Sequence, residues 1–183
     1  GDDVMIVSKY GKGLRTGSDS IRTMGRSTRG VRAMKLLDDD EIIGLVRVEE
    51  GKRILMVTEN GKGKQVRFEE FNAHGRATMG QKIYSVDDKA SGLVNALAVN
   101  DENDVVFVTL NGQTIRVHVK DISIQGRSAR GVKVASFKKK DDSIVAMAAT
   151  DYQEESDEEI EIPEQAPAEN EATAEPVSDD QNQ

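Results

Sequence analysis

Gly25-Arg26-Ser27-Thr28-Arg29-Gly30 recurs as Gly75-Arg76-Ala77-Thr78-Met79-Gly80 and again as Gly126-Arg127-Ser128-Ala129-Arg130-Gly131, with copies 50 and then 51 residues apart. A period of this length marks an array of like supersecondary units. Two glycines five apart predict a tight backbone excursion that a Cβ would obstruct. An arginine follows the first glycine in every copy, so each module presents a cation at the same place.

Outward from these loops, each module reads as four short strands. The first is an unbroken apolar run, Val4–Val7, Ile54–Val57 and Val105–Val108, which suits a strand covered on both faces. Glycine turns follow at Gly11, Gly61 and Gly112, and Asn60-Gly61 and Asn111-Gly112 are strong hairpin signals. The second strand alternates, with Ile115, Val117 and Val119 against Arg116, His118 and Lys120, and with Val66 and Phe68 against Gln65 and Arg67. After the Gly-Arg loop a third strand is expected over Val31–Leu36, Gln81–Val86 and Val132–Phe137, and a fourth over Ile42–Val48, Leu93–Val99 and Ile144–Ala149. No stretch keeps a helical period. The fold class is all-β, a propeller-like set of four-stranded blades. Blades are expected at about 1–50, 51–101 and 102–150. Three are fewer than a closed propeller holds, so a piece of a larger ring is expected.

The net charge of −8 hides a division. Residues 151–183 hold 13 Asp and Glu and no Lys or Arg, leaving 20 acids against 25 bases, a net of +5, in residues 1–150. The last segment also holds all three prolines, and it is expected to be a disordered acidic tail. Two roles are open for it: competition with a polyanion for the basic body, or solubility. Cysteine is absent, which removes thiolate catalysis, disulfides and zinc–thiolate sites. No apolar run or leader suggests a membrane or secretion, and a cytoplasmic setting is expected.

Aligned on the paired glycines, the cations fall into columns: Arg26, Arg76 and Arg127; Arg32, Lys82 and Lys133; and Arg29 and Arg130, with Met79 breaking the third. Lys12, Arg15, Arg22, Lys62, Lys64 and Arg67 lie around them, while acids gather in the turns flanking the fourth strands. Rotation of modules about an axis carries each column onto one ring. The result is a circumferential belt suited to a long, curved polyanion, and duplex DNA is the natural candidate. Surface bases on β proteins usually serve solubility alone, and duplication copies them too. The segregated acids argue against that reading here.

Gly25–Arg32 and Gly126–Lys133, with the ~50-residue period, the hairpin glycines and the acidic tail, resemble the blade signature of the C-terminal domain of DNA gyrase A. The resemblance covers about residues 2–150. It implies a six-bladed β-pinwheel whose neighbouring blades exchange strands, this chain supplying the last three blades. It also implies non-specific wrapping of duplex DNA around the basic rim, serving negative supercoiling by an ATP-dependent type II topoisomerase. Arg26, Arg32, Arg76, Lys82, Arg127 and Lys133 would then be rim contacts, helped by Arg29 and Arg130. The implied partners are the rest of gyrase A and gyrase B in a heterotetramer, with ATP and Mg used by other domains and no cofactor here. The family's basic heptapeptide, Gln-Arg-Arg-Gly-Gly-Lys-Gly, is absent. Two alternatives stand beside this: the related subunit of topoisomerase IV, and a protein-interaction propeller resembling the regulator of chromosome condensation. A rim belt of charge supports the first family, a patch on one face the last.

No catalytic residue is expected. Tyr10, Tyr84 and Tyr152 sit in a turn, a strand and the tail border. His74 and His118 lack metal-ligand spacing, and Gly11-Lys12-Gly13 lacks the rest of a P-loop.

Overall fold

Apolar runs of four in a row settle the architecture, because each becomes an inner strand of its sheet, and the middle one has a neighbouring sheet on either side. The computed structural model describes residues 2–19, 34–37, 39–72, 80–87 and 91–154. Their strands are β1 (Asp3–Ser8), β2 (Lys12–Gly17), β3 (Ile42–Arg47), β4 (Arg53–Thr58), β5 (Lys62–Arg67), β6 (Gln81–Lys82), β7 (Leu93–Val99), β8 (Asn103–Thr109), β9 (Thr114–His118), β10 (Val132–Lys133) and β11 (Ile144–Asp151). Short 3-10 turns, Phe68–Glu70 and Val119–Asp121, follow β5 and β9. The chain divides into two units, Gly1–Tyr152 and Gln153–Gln183.

Three antiparallel sheets result, in the orders β3-β1-β2-β6, β10-β5-β4-β7 and β11-β8-β9. Strands β6 and β10 belong by sequence to the second and third modules, yet they close the sheets of the first and second. The second and third modules thus each lend their third strand to the module before. Among the described residues, the last sheet has no such fourth strand.

Alternation explains why the first strands are apolar throughout. On β4, Ile54 and Met56 join Met5 and Val7 of β1 in one cluster, while Leu55 and Val57 join Val105 and Phe107 of β8 in another. All of these are fully buried. On the outer flank Val108 is 40% exposed, because no described sheet covers it.

The third strands of the second and third modules are shorter than expected, two residues each instead of six, and the start of the one expected over Val31–Leu36 lies outside the described residues. Beyond Lys82, the amides of Ile83 and Tyr84 converge on the Gly11 carbonyl at 2.8 and 3.3 Å, and those of Val134 and Ala135 on the Gly61 carbonyl at 2.8 and 3.2 Å. The lent strand wraps the tip of the preceding hairpin, and the ladder ends there. Gly11 holds φ +90° at that tip, where a Cβ would sit 2.2 Å from the Tyr84 carbonyl oxygen. Glycine is required there twice over, for its conformation and for the close approach.

Candidate nucleic-acid interface

Lending a strand sets two lysines against two others. In the first sheet Lys12 of β2 is directly opposite Lys82 of β6, and in the second Lys62 of β5 is directly opposite Lys133 of β10. Facing residues on antiparallel strands lie about 5 Å apart at Cβ, and like charges there are unfavourable. The arrangement occurs at both described junctions, so it follows from the repeat.

The loop of the third module joins these pairs. Arg127 Nη1 donates to Gln81 Oε1 at 2.8 Å, next to Lys82. Arg130 and Lys62 both approach Asp87, each at 3.4 Å. A connected row therefore runs from Lys12 and Lys82 through Arg127 and Arg130 to Lys62 and Lys133. All of these are exposed except Lys12, which is half-buried. Arg130 keeps 75% of its side chain open to solvent despite its partner, so the ion pair is a weak one. Asp87 and Gln81 were not among the expected site residues. Nothing in their own sequence neighbourhoods marks them, since each acts on a loop more than 40 positions away.

Two expected contacts lie elsewhere. Lys64 has no exposed surface. Its ammonium donates to the carbonyls of Gly126, Arg127 and Ala129 at 2.9, 2.9 and 2.8 Å and overlies the Tyr84 ring at 4.9 Å. Burial pushes its pKa down to about 8, partly offset by Glu70. The Tyr84 phenol is pushed up by the same burial and by Asp87. Arg15 is engaged at another junction. Its Nε donates to Asp3 at 2.9 Å, and its Nη1 reaches the Phe68 and Phe71 carbonyls at 2.9 and 3.3 Å. Gln65, one module on, does the same work, donating to the Val119 and Ile122 carbonyls at 2.9 and 2.8 Å. In each of the first two modules one long polar side chain thus fastens the 3-10 turn of the next.

Arg67 is exposed but stands at the opposite end of β5 from Lys62, apart from the row. Arg22, Arg26, Arg29, Arg32 and Arg76 lie outside the described residues.

The paired glycines differ in their demands. Gly131 holds φ +77°, and a Cβ there would meet the Tyr84 hydroxyl at 2.3 Å and the Gly63 carbonyl oxygen at 2.8 Å. Gly80 repeats this at φ +70°, against Met34 and Gly13. A Cβ on Gly126 would meet only Glu70, at 3.7 Å. The second glycine seats the lent strand on the preceding sheet.

Comparison with known proteins gives one consistent result. The family model for the DNA gyrase C-terminal domain, β-propeller, matches residues 2–49, 52–100 and 103–151. DNA gyrase A of Salmonella typhimurium is 37% identical over 131 residues, covering 72% of this chain and 15% of that protein. DNA gyrase A of Klebsiella oxytoca is 34% identical over 146 residues, covering 80% and 17%. A solved DNA gyrase A C-terminal domain superposes with a TM-score of 0.72 at 30% identity, covering 81% of this chain and 50% of that one. The C-terminal domain of DNA topoisomerase IV gives a TM-score of 0.69 at 18% identity, over 82% and 47%, a likeness of fold alone. The chain spans less than a fifth of the curated relatives' length and about half of the solved domains.

Proposed function

The chain belongs to the DNA gyrase C-terminal domain, β-propeller, family, and on that premise we propose that its cation row grips the phosphate backbone of duplex DNA and holds it in a bend. The observation that carries this reading is the opposition of Lys12 to Lys82 and of Lys62 to Lys133. Such pairs cost stability in the free protein, and an anion lying across them removes the cost. Their recurrence at successive junctions suits a ligand with charge repeated along its length, and a duplex carries one charge per roughly 1.7 Å of axis.

Bending 20–30 bp by 40–90° costs on the order of 1–6 kcal/mol, which several ion contacts must offset. The described elements include no recognition helix, so preference among DNA sequences follows deformability rather than base edges. Within a whole gyrase the bend serves negative supercoiling, with cleavage, strand passage and ATP use carried by the rest of gyrase A and by gyrase B. The 30% identity to a solved gyrase domain favours gyrase over topoisomerase IV.

If the six cations of the row meet about six phosphates, log affinity plotted against log salt falls with a slope near −5. A titration with random-sequence duplex at several salt concentrations reads it, and a slope near zero removes the proposal. The acidic segment gives a second test. We propose that it competes with DNA for the row. Truncation after Gln153 keeps Tyr152, whose ring stacks on His118 at 4.6 Å, and so spares the end of the folded unit. It should tighten binding about three- to tenfold at low salt and less at high salt. Unchanged affinity leaves solubility as the segment's role.

A further inference from the structure

Loop 126–129 has all four of its carbonyls on side-chain donors, and three of them turn inward onto the buried Lys64. Lys64 Nζ takes those of Gly126, Arg127 and Ala129, and Ser85 Oγ takes that of Ser128 at 2.8 Å. In a trans peptide the C=O of one residue and the N–H of the next point opposite ways, and the described chain has no cis bond. The inward carbonyls of Gly126, Arg127 and Ala129 therefore send the N–H groups of Arg127, Ser128 and Arg130 outward. None of these three amides has a partner among the described residues, whereas the Ala129 N–H closes the turn on the Gly126 carbonyl at 3.2 Å. Arg127, Ser128 and Arg130 are all exposed.

We propose that Lys64 is a positioning residue for DNA binding: it orients this loop so that its outward main-chain N–H groups, flanked by the Arg127 and Arg130 side chains, meet the phosphates of the DNA backbone. Exposed main-chain N–H groups beside two arginines are donors for phosphate oxygens, and the buried ammonium behind them adds to the field. The inference rests on the DNA-binding reading and deepens it. Leu14 and Ile115 occupy the Lys64 position in the other two modules and offer no donor. The clasp thus distinguishes the third module's loop.

Alkali separates this role from simple packing. The charged or titratable groups around the ammonium are Glu70 after β5, Lys62 two positions back on β5, Tyr84, and Arg127 and Arg130 of the loop, the last paired with Asp87. With a folded pKa of about 8 against 10.5 for a free lysine, Lys64 loses its proton as pH rises through 8. One carbonyl then loses its donor and the charge behind the amides disappears. Because the folded value lies below the unfolded one, the unfolded chain binds the extra proton between those values. Stability from this group therefore rises across that window while DNA affinity falls.

The experiment measures duplex affinity of the full 183-residue chain at fixed ionic strength from pH 7 to 9.5, for wild type, Lys64→Arg and Lys64→Met. Wild type should weaken about three- to tenfold with no loss of thermal stability, and Lys64→Arg should stay flat. Lys64→Met should bind about tenfold more weakly at pH 7, with faster exchange at the Ala129 and Ser85 amides. If wild type binds and Lys64→Met binds equally well, the inference falls and the DNA reading survives. If Lys64→Met does not fold, the wild-type profile decides, and affinity flat to pH 9.5 overturns it. If wild type binds no duplex, the DNA reading itself fails.

Discussion

Replacing Lys82, Arg127 and Lys133 together by alanine should lower duplex affinity by two to three orders of magnitude and leave the folded chain as stable as before, or slightly more so. At about 0.1 M salt each phosphate contact releases counterion worth roughly one decade of affinity, so losing three of six removes about 10²–10³. The salt slope should fall in step, from near −5 to near −3. Stability moves the other way because Lys82 faces Lys12 and Lys133 faces Lys62. Relieving each opposition returns about 0.2–1 kcal/mol, less in salt. Arg127 gives up one exposed bond to Gln81, a small loss. Cations that serve packing would show the reverse signature, with affinity nearly kept and the melting temperature lowered. Duplex titrations beside thermal melts distinguish the two, and an unchanged slope removes the row from the mechanism.

Local signals carried far in this sequence, and non-local ones did not. The module period, the apolar first strands and the hairpin glycines were legible because each is written within a few residues. Strand lending was not, except through the family resemblance. Pairing of β6 with β2 joins residues some 70 positions apart, and nothing in Gln81-Lys82 says which sheet receives it. The length of the third strands failed for the same reason, since the ladder is cut short by the hairpin tip of another module. Lys64 and Arg15 were misplaced because lysine and arginine on short strands ordinarily face water. A column comparison held the clue for Lys64. Its counterparts are Leu14, which is buried, and Ile115, which is half-buried, so a lysine there interrupts an apolar column. A long cation in such a place is kept only with partners, and the carbonyls of loop 126–129 are those partners. Arg15 and Gln65 share a column in the same way, and only their common task, holding the next 3-10 turn, explains why so different a pair occupies it.

Gly131→Ala should be among the damaging single changes in the described part of the chain, costing about 3–4 kcal/mol and lowering the melting temperature by roughly 10 °C. Two penalties combine. A left-handed backbone at φ +77° costs an alanine about 1–2 kcal/mol. The new methyl would also lie 2.8 Å from the Gly63 carbonyl oxygen, which is backbone and cannot rotate away, and 2.3 Å from the Tyr84 hydroxyl. Gly112→Ala separates these terms, because Gly112 has φ +85° with nothing within 4 Å of the added carbon. It should cost only about 1 kcal/mol. The difference measures the close approach through which β10 seats on β5, the contact by which the third module is fastened to the second. Because that seat also sets Lys133 opposite Lys62, Gly131→Ala should weaken duplex binding as well, whereas Gly112→Ala should not. Equal losses of stability in the two variants would mean that the lent strand is held by its ladder alone, and that the second glycine of each motif answers only to its dihedral angle.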